Sequence, residues 1–242
     1  MLSDQQRAVA ALKALKLGPM AARLEQWAED PASLGRSHAD CILALVDAQT
    51  QATATKRAGR FLAQADLPLT ITLADIQPSA ARGLPAQLLF NLATGDWIQR
   101  GHTLLITGET QAGKTYLAAA LAREAALHRV SVAYRRTPEL LAECAMEKTR
   151  GTWPAFLKRL GRMKLLVLDD FATERANSPQ SHALREILDL RRRHNSAVLI
   201  ASPNAPEDWD GFFDDPTAAE AIFGRVLERS QHIALKRPAR AA

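Results

Sequence analysis

The sequence predicts an α/β fold, a parallel sheet sandwiched by helices and preceded by a small all-helical segment. Three observations carry this. Beyond residue 83, short apolar runs alternate with helical patterns, and each run is apolar on both faces, which suits a strand covered by helices on either side. The first run leads straight into Gly108-Glu109-Thr110-Gln111-Ala112-Gly113-Lys114-Thr115, which fits the pattern G-x-x-x-x-G-K-[ST]. Before residue 66, glycine and proline are scarce, strand signals are absent and apolar residues recur at helical spacing.

Taken in order, Leu2 to Trp27 places Val9, Leu12, Leu15, Leu17, Met20, Leu24 and Trp27 at helical spacing, with Gly18-Pro19 as an interruption. A second helix is expected from His38 to Ala63, with Ile42, Leu43, Leu45 and Val46 inside and Lys56, Arg57 and Arg60 outside. Together these predict a helical N-terminal domain over 1–65, used for packing or partner contact, with direct DNA contact as the alternative. Residues 66–83 carry prolines and no clear period, and read as a linker to a main domain over 84–242. In that domain the expected strands are TLLIT (103–107), VSVAY (130–134), KLLVLDD (164–170), SAVLIAS (196–202) and HIAL (232–235). Thr137-Pro138-Glu139 and Ser178-Pro179 mark helix starts, a capping residue followed by proline at the first helical position.

The glycine-rich loop has a physical reading residue by residue. Its glycines let successive N–H groups turn toward one anion, and the helix that follows aims its positive end at the same point. Lys114 then reaches the β and γ phosphates of a nucleotide, and the Thr115 hydroxyl can ligate Mg²⁺. The contacting stretch runs from Gly108 through Tyr116. A second half is expected at the end of a later strand. Asp169 ends the apolar run of LLVLDD, the place for a Mg²⁺-bound carboxylate, and Asp170 is placed to polarise an attacking water, although it is a methylene shorter than glutamate. In SAVLIASPN, Ser202 and Asn204 are the candidates for sensing a γ-phosphate.

Bulk properties narrow the class. The 242 residues are 47% hydrophobic and 24% charged, as in a soluble globular protein. No apolar run approaches the roughly 20 residues that would span a bilayer, so no membrane partner is expected. The N-terminus lacks the apolar core of a signal peptide. Cys41 and Cys144 stand in helical contexts without clustered histidines, and read as buried thiols in a reducing cytoplasm, not zinc ligands or a disulfide. The net charge of +5 points to an anionic partner, nucleic acid first. Between the second and third strands Lys148, Arg150, Lys158, Arg159, Arg162 and Lys164 form a basic run interleaved with Trp153 and Phe156, with only Glu147 close by in sequence. That run reads as a sequence-independent contact to nucleic-acid phosphates, or as a solvated helix face with a buried Trp153. Arg191-Arg192-Arg193-His194 reads as the capped C-terminus of a helix, with phosphate binding as the alternative.

The order of strand, phosphate loop, LLVLDD, polar-ended strand and then DWDGFFDDPTAAEAIFGRVLERSQHIALK resembles the IstB/DnaC-type branch of the AAA+ ATPases, and most of all its insertion-sequence IstB members. The opening LKALKLGPMAARLEQWAEDP and the stretch RGLPAQLLFNLATGDWIQRGHTLLITG are similar to the same family, so the resemblance covers nearly the whole chain. It implies an AAA+ P-loop core that hydrolyses ATP with Mg²⁺. Gly108, Gly113, Lys114 and Thr115 match its Walker A site, Asp169 and Asp170 its Walker B site. Arg225 matches the arginine that acts on a neighbour's ATP, which implies a homo-oligomer. Double-stranded DNA and a transposase are the implied partners. A DnaC-like loader, with a replicative helicase as partner and single-stranded DNA as ligand, and a non-hydrolysing nucleotide-gated DNA-binding adaptor are the alternatives. The chain departs from the family at Ala201-Ser202-Pro203-Asn204, at Gly224-Arg225-Val226, and in the short tail LKRPARAA, where Lys236, Arg237 and Arg240 are not expected to reach the nucleotide.

Overall fold

In a computed structural model of the chain, residues 3–29 and 37–237 are described. They divide into two compact units between Arg60 and Phe61, where the sequence placed the boundary after Ala65.

The first unit is helical. Helix α1 (Asp4–Ala14) is opened by Ser3, whose hydroxyl accepts from Gln6 N–H while the Gln6 side chain accepts from Ser3 N–H. The chain reverses through Lys16, at φ 61°, so α2 (Gly18–Glu29) starts at the glycine and carries Pro19 in its first turn. The two helices pack together, with Lys13 Nζ 2.7 Å from Glu25 Oε1 and Gln5 Nε2 donating to the Leu24 carbonyl. Helix α3 (His38–Ala65) begins in this unit. Its apolar residues correct one expectation. Ile42 and Leu43 are 61% and 60% exposed and Val46 is exposed too, because helical spacing fixes a face but does not supply a surface to cover it.

The second unit is a three-layer α/β domain. Phe61 and Leu62 at the end of α3, and Leu67, Leu69, Leu73 and Ile76 from the 66–83 segment, pack against its core. Then follow α4 (Ala86–Ala93), α5 (Asp96–Gln99), β1 (Thr103–Thr107), α6 (Lys114–Leu127), β2 (Val132–Arg136), α7 (Thr137–Thr149), α8 (Trp153–Gly161), β3 (Leu165–Asp169), α9 (Ser178–Arg193), β4 (Ala197–Ser202), α10 (Pro216–Leu227) and β5 (Ser230–Ala234). The strands are all parallel, in the order β2-β3-β4-β1-β5. Side chains alternate between faces as the strand period requires. Leu104, Ile106, Val167 and Leu199 pack beneath α6, whereas Leu105, Leu166, Leu168, Val198 and Ile200 meet α7, α8, α9 and α10. Strand β2 runs two residues further than its apolar run suggested. As an edge strand it tolerates polar Arg135 and Arg136 while Arg136 still pairs with Asp169 in the ladder. The cap of α9 is Asn177, one residue before Ser178, in a box closed by Gln180.

Helix α9 holds a residue whose role the basic run concealed. Leu184, Ile187, Leu188 and Arg191 lie on its buried stripe, and Arg191 is only 1% exposed. Its guanidinium donates to the carbonyls of Leu160, Met163 and Lys164, which lead into β3, and of Ala197 in β4. Arg191 therefore ties strands to the helix layer and does not cap its own helix, which corrects the expectation for that residue alone, since the 191–194 run does close α9, with His194 at the C-cap. Cys144 is buried as expected, and burial pushes its thiol up to about 12. Cys41 is half-buried, and both thiols are free.

Candidate functional site

The carboxyl ends of β1, β4 and β3 meet at one edge of the sheet, where open parallel sheets gather ligands. Strand β1 leaves this edge through Gly108 at φ 142°, a backbone that side chains rarely adopt. A Cβ there would stand 2.1 Å from the Leu235 carbonyl oxygen, so the chain leaving β5 occupies the space a side chain would need. Gln111 and Gly113, at φ 70° and 91°, complete the turn, and Gly113 opens α6. We expect Gly108→Ala to cost about 2 kcal/mol of stability or more and to weaken nucleotide retention. Urea unfolding with and without ATP checks it, and coincident curves for variant and wild type would show that the 235 segment yields freely.

The remaining groups close around this loop. Lys114 Nζ donates to the carbonyls of Gly108 and Glu109, at 2.8 and 3.0 Å. Partial burial holds its ammonium below the usual lysine range, with the charges of Asp169 and Asp170 acting in the opposite sense. Thr115 Oγ1 donates to Asp169 Oδ1 at 3.3 Å, and the Asp170 N–H donates to the same oxygen at 3.0 Å. The other oxygen, Oδ2, accepts from the Tyr134 hydroxyl at 2.6 Å. Burial, and then the Asp169 charge, raises the Tyr134 phenol well above the tyrosine range, so it stays a donor. Asp169 is itself buried at the end of β3, and Thr137 Oγ1 bonds its carbonyl. Asp170 sits at φ 52°, a strained backbone of the kind that collects at functional sites, and its carboxylate is held by Arg136 at 2.8 Å.

These residues fit a magnesium nucleotide. The cradle at Gly108 has no room for a Cβ, its loop leads into a helix N-terminus, and Thr115 with Asp169 presents the hard oxygen donors that Mg²⁺ prefers. Among the described residues no group of three or more His, Cys, Asp or Glu side chains is placed to hold a metal, so phosphate oxygens and water would complete such a shell. The other expected contacts are placed differently. Ser202 is fully buried. Its hydroxyl donates to the Phe171 carbonyl at 2.8 Å and accepts from Asn204 N–H and from Trp209 Nε1. That corrects its reading as a phosphate sensor, since the hydroxyl is spent on the loop after β3. Asn204 Nδ2 bonds the Ala172 carbonyl, and Tyr116 is exposed on the first turn of α6.

Four residues at this edge escaped the sequence reading: Tyr134, Arg136, Arg82 and Arg237. Arg82 donates to the Ala112 carbonyl at 2.8 Å, and Arg237 to the Thr110 carbonyl at 2.8 Å while pairing with Glu109. Arg237, which the divergent tail seemed to exclude, thus braces the loop directly. Arg240 lies outside the described residues. None of the four has a local signal in the sequence, and Arg136 comes to face Asp169 only in the β2–β3 ladder, with β2 carried to its end.

Arg225 lies elsewhere. It sits on α10, ion-paired with Asp189 of α9, and lines a cavity with Thr103 and Val198 at the amino end of β1 and β4, the edge opposite the loop. Within one chain the fold does not bring Arg225 to Lys114. Of the basic insert residues, Arg150, Lys158 and Arg162 are exposed. Lys148 pairs with Glu186 at 3.6 Å and lies over the Trp153 ring, and Arg159 pairs with Glu143 at 3.6 Å over Phe156. The fold therefore adds two acids to the one visible in sequence. Phe156 is buried and Trp153 donates to Glu186, so the aromatics anchor α8.

The sheet order, the phosphate loop after β1 and the carboxylate ending β3 define an AAA+ P-loop protein. The chain belongs to the IstB-like ATP binding protein family, whose profile matches residues 10–239. Its relatives include a protein of Pseudomonas fluorescens described as an ATP-binding protein of insertion sequence IS1162, 34% identical over 197 residues, 81% of this chain and 85% of that one. Another is the insertion-sequence ATP-binding protein y4uH of Sinorhizobium fredii, 32% identical over 92% of this chain and 89% of its own. Among solved structures, the DnaC helicase loader superposes with a TM-score of 0.58 at 18% identity over 68% of this chain and 96% of that one. DnaI gives 0.58 at 22% identity over 71% and 91% of the respective chains. These two likenesses speak for the fold. No helix among the described residues is long and apolar enough to cross a membrane.

Proposed function

We propose that the protein is a cytoplasmic ATPase that assembles on double-stranded DNA when ATP is bound, remodels it for a partner transposase, and is released by hydrolysis. The observation that carries this is Asp169, fixed between Thr115 and Tyr134 beside the Lys114 loop, in a chain whose relatives are insertion-sequence ATP-binding proteins. In this reading Mg²⁺ bound with ATP screens phosphate charge and orients the phosphoryl group. The chain's own residues do the rest. The loop N–H groups and Lys114 hold the phosphates, and Thr115 and Asp169 hold the ion. Asp170 orients the attacking water after Arg136 lets go, since a carboxylate ion-paired at 2.8 Å is a poor base. Arg225 serves a neighbouring copy, because its own loop is at the far edge of the sheet. Arg150, Lys158 and Arg162, with Lys148 and Arg159 once freed from their acids, meet DNA phosphates. The helical segment 1–65 contacts the partner, with 66–83 joining it to the ATPase domain 84–242.

The test is ATP-dependent duplex binding by wild type and Lys114→Ala. Binding that requires ATP and is lost in the variant is expected. Equal binding by both proteins, with and without ATP, would sink the switch. A helicase-loader reading, which the likeness to DnaC and DnaI favours, predicts preference for single strands in the same assay. Arg225→Ala provides the check on assembly. Wild-type turnover per subunit should rise with protein concentration, and the variant should lose about 10³-fold at the highest concentration. A rate independent of concentration in the wild type would remove Arg225 from the chemistry.

A further inference from the structure

The cavity at the amino edge of the sheet is strongly basic, and of its arginines only Arg225 has a part in the function proposed above. It holds about 170 Å³, several times the volume of a water molecule, and its lining includes Arg191, Arg192, Arg225 and Arg229. Two carboxylates stand among these four guanidinium groups, Glu228, bonded to Arg192 at 2.8 Å, and Asp189, paired with Arg225. Two positive charges are left over. One belongs to Arg191, which is 1% exposed, meets only carbonyl oxygens through its two terminal nitrogens, and leaves its Nε without a partner. A buried charge compensated by carbonyl dipoles alone favours an anion close by. The other belongs to Arg229, which is exposed at the rim.

We propose that this cavity is a second oxyanion site, which takes a phosphoryl dianion between Arg192 and Arg229 above the buried charge of Arg191. The chemistry follows from the donors. Guanidinium groups offer paired N–H donors that match phosphate oxygens, and a dianion cancels the two charges left over. The site goes beyond the proposed function: it shares Arg225 with the contact proposed there to a neighbouring copy, but it rests on Arg191, Arg192 and Arg229, lies at the opposite edge from Lys114 and needs no nucleotide in its own loop.

The experiment uses the full chain saturated with ADP, so that the phosphate loop is filled. Inorganic phosphate is titrated against sodium chloride at equal ionic strength, with the thermal midpoint as readout. Wild type should gain several degrees with a saturable dependence on phosphate, and Arg229→Ala and Arg192→Gln should each shift the half-saturating concentration at least tenfold upward. Both side chains are largely exposed, so neither change threatens folding. No gain beyond chloride in the wild type, or the same curve in both variants, would overturn the site. A second arm identifies the source of the phosphoryl group. If a second copy's nucleotide supplies it, a non-hydrolysable ATP analogue associates wild-type chains, phosphate competes with that association and Arg229→Ala weakens it. If free phosphate is the ligand, association is insensitive to phosphate while the thermal gain persists.

Discussion

Replacing Arg191 by methionine is expected to lower the unfolding free energy by about 3 kcal/mol, although methionine fills a similar volume without a charge. Two effects compete. The buried guanidinium is itself unfavourable, and burial holds it down at about 9, well below the arginine range. Removing it relieves that penalty. Against this stand four carbonyl groups, of Leu160, Met163, Lys164 and Ala197, which lose a charged donor beneath the helix layer. The Leu160 and Lys164 oxygens keep a second donor, from the Met163 and Ala197 N–H groups, so their loss is partial. Hydrogen bonds to charged groups contribute about 1.5–3 kcal/mol each, so four outweigh the relief even when two are discounted by half. Arg191→Lys should recover little, because one ammonium cannot reach carbonyls in two strands. Urea unfolding is the measurement, and a midpoint for Arg191→Met at or above wild type would mean that the desolvation penalty dominates.

That residue also marks where the sequence stopped being readable. The phosphate loop is contiguous, so its geometry follows from eight residues and a strand before them. The strands β1, β3 and β4 could be placed within a residue or two because they are apolar on both faces. Arg191 sat in a run of three arginines, and only helical phase distinguishes it: it continues the stripe of Leu184, Ile187 and Leu188 by one more turn. Tyr134 and Arg136 carry no local signature. They act through residues 35 and 34 positions away, and that pairing exists only once β2 lies beside β3. Arg82 and Arg237 are further still from an obvious role, since each bonds a backbone carbonyl of the loop, which no side-chain pattern announces. The misplaced apolar residues of α3 make the converse point, that periodicity names a face and stays silent about what covers it. Ser202 fails for a third reason: its type and position suited a sensor, but buried Trp209 and the Phe171 carbonyl claim its hydroxyl.

Asp169→Asn is expected to separate binding from hydrolysis. In the proposed function Lys114 and the loop backbone hold the phosphates without it, so ATP affinity should change by less than about tenfold. Turnover should fall by about a hundredfold or more, because a metal ion's contribution is several kcal/mol and each 1.36 kcal/mol is a factor of ten. Folding survives the change. The amide has the carboxylate's shape: its oxygen can keep the Asp170 N–H and Thr115 bonds, and the Tyr134 hydroxyl can rotate to accept from its NH₂. Tyr134→Phe supplies the graded control. It leaves the charge of Asp169 in place but removes the 2.6 Å bond that fixes its Oδ2, so the carboxylate gains rotational freedom and turnover should fall by about tenfold, a loss typical of a removed supporting hydrogen bond. If Asp169→Asn hydrolyses ATP at the wild-type rate, the ion is held elsewhere. If Tyr134→Phe is as inactive as Asp169→Asn, the phenol does more than hold a carboxylate still.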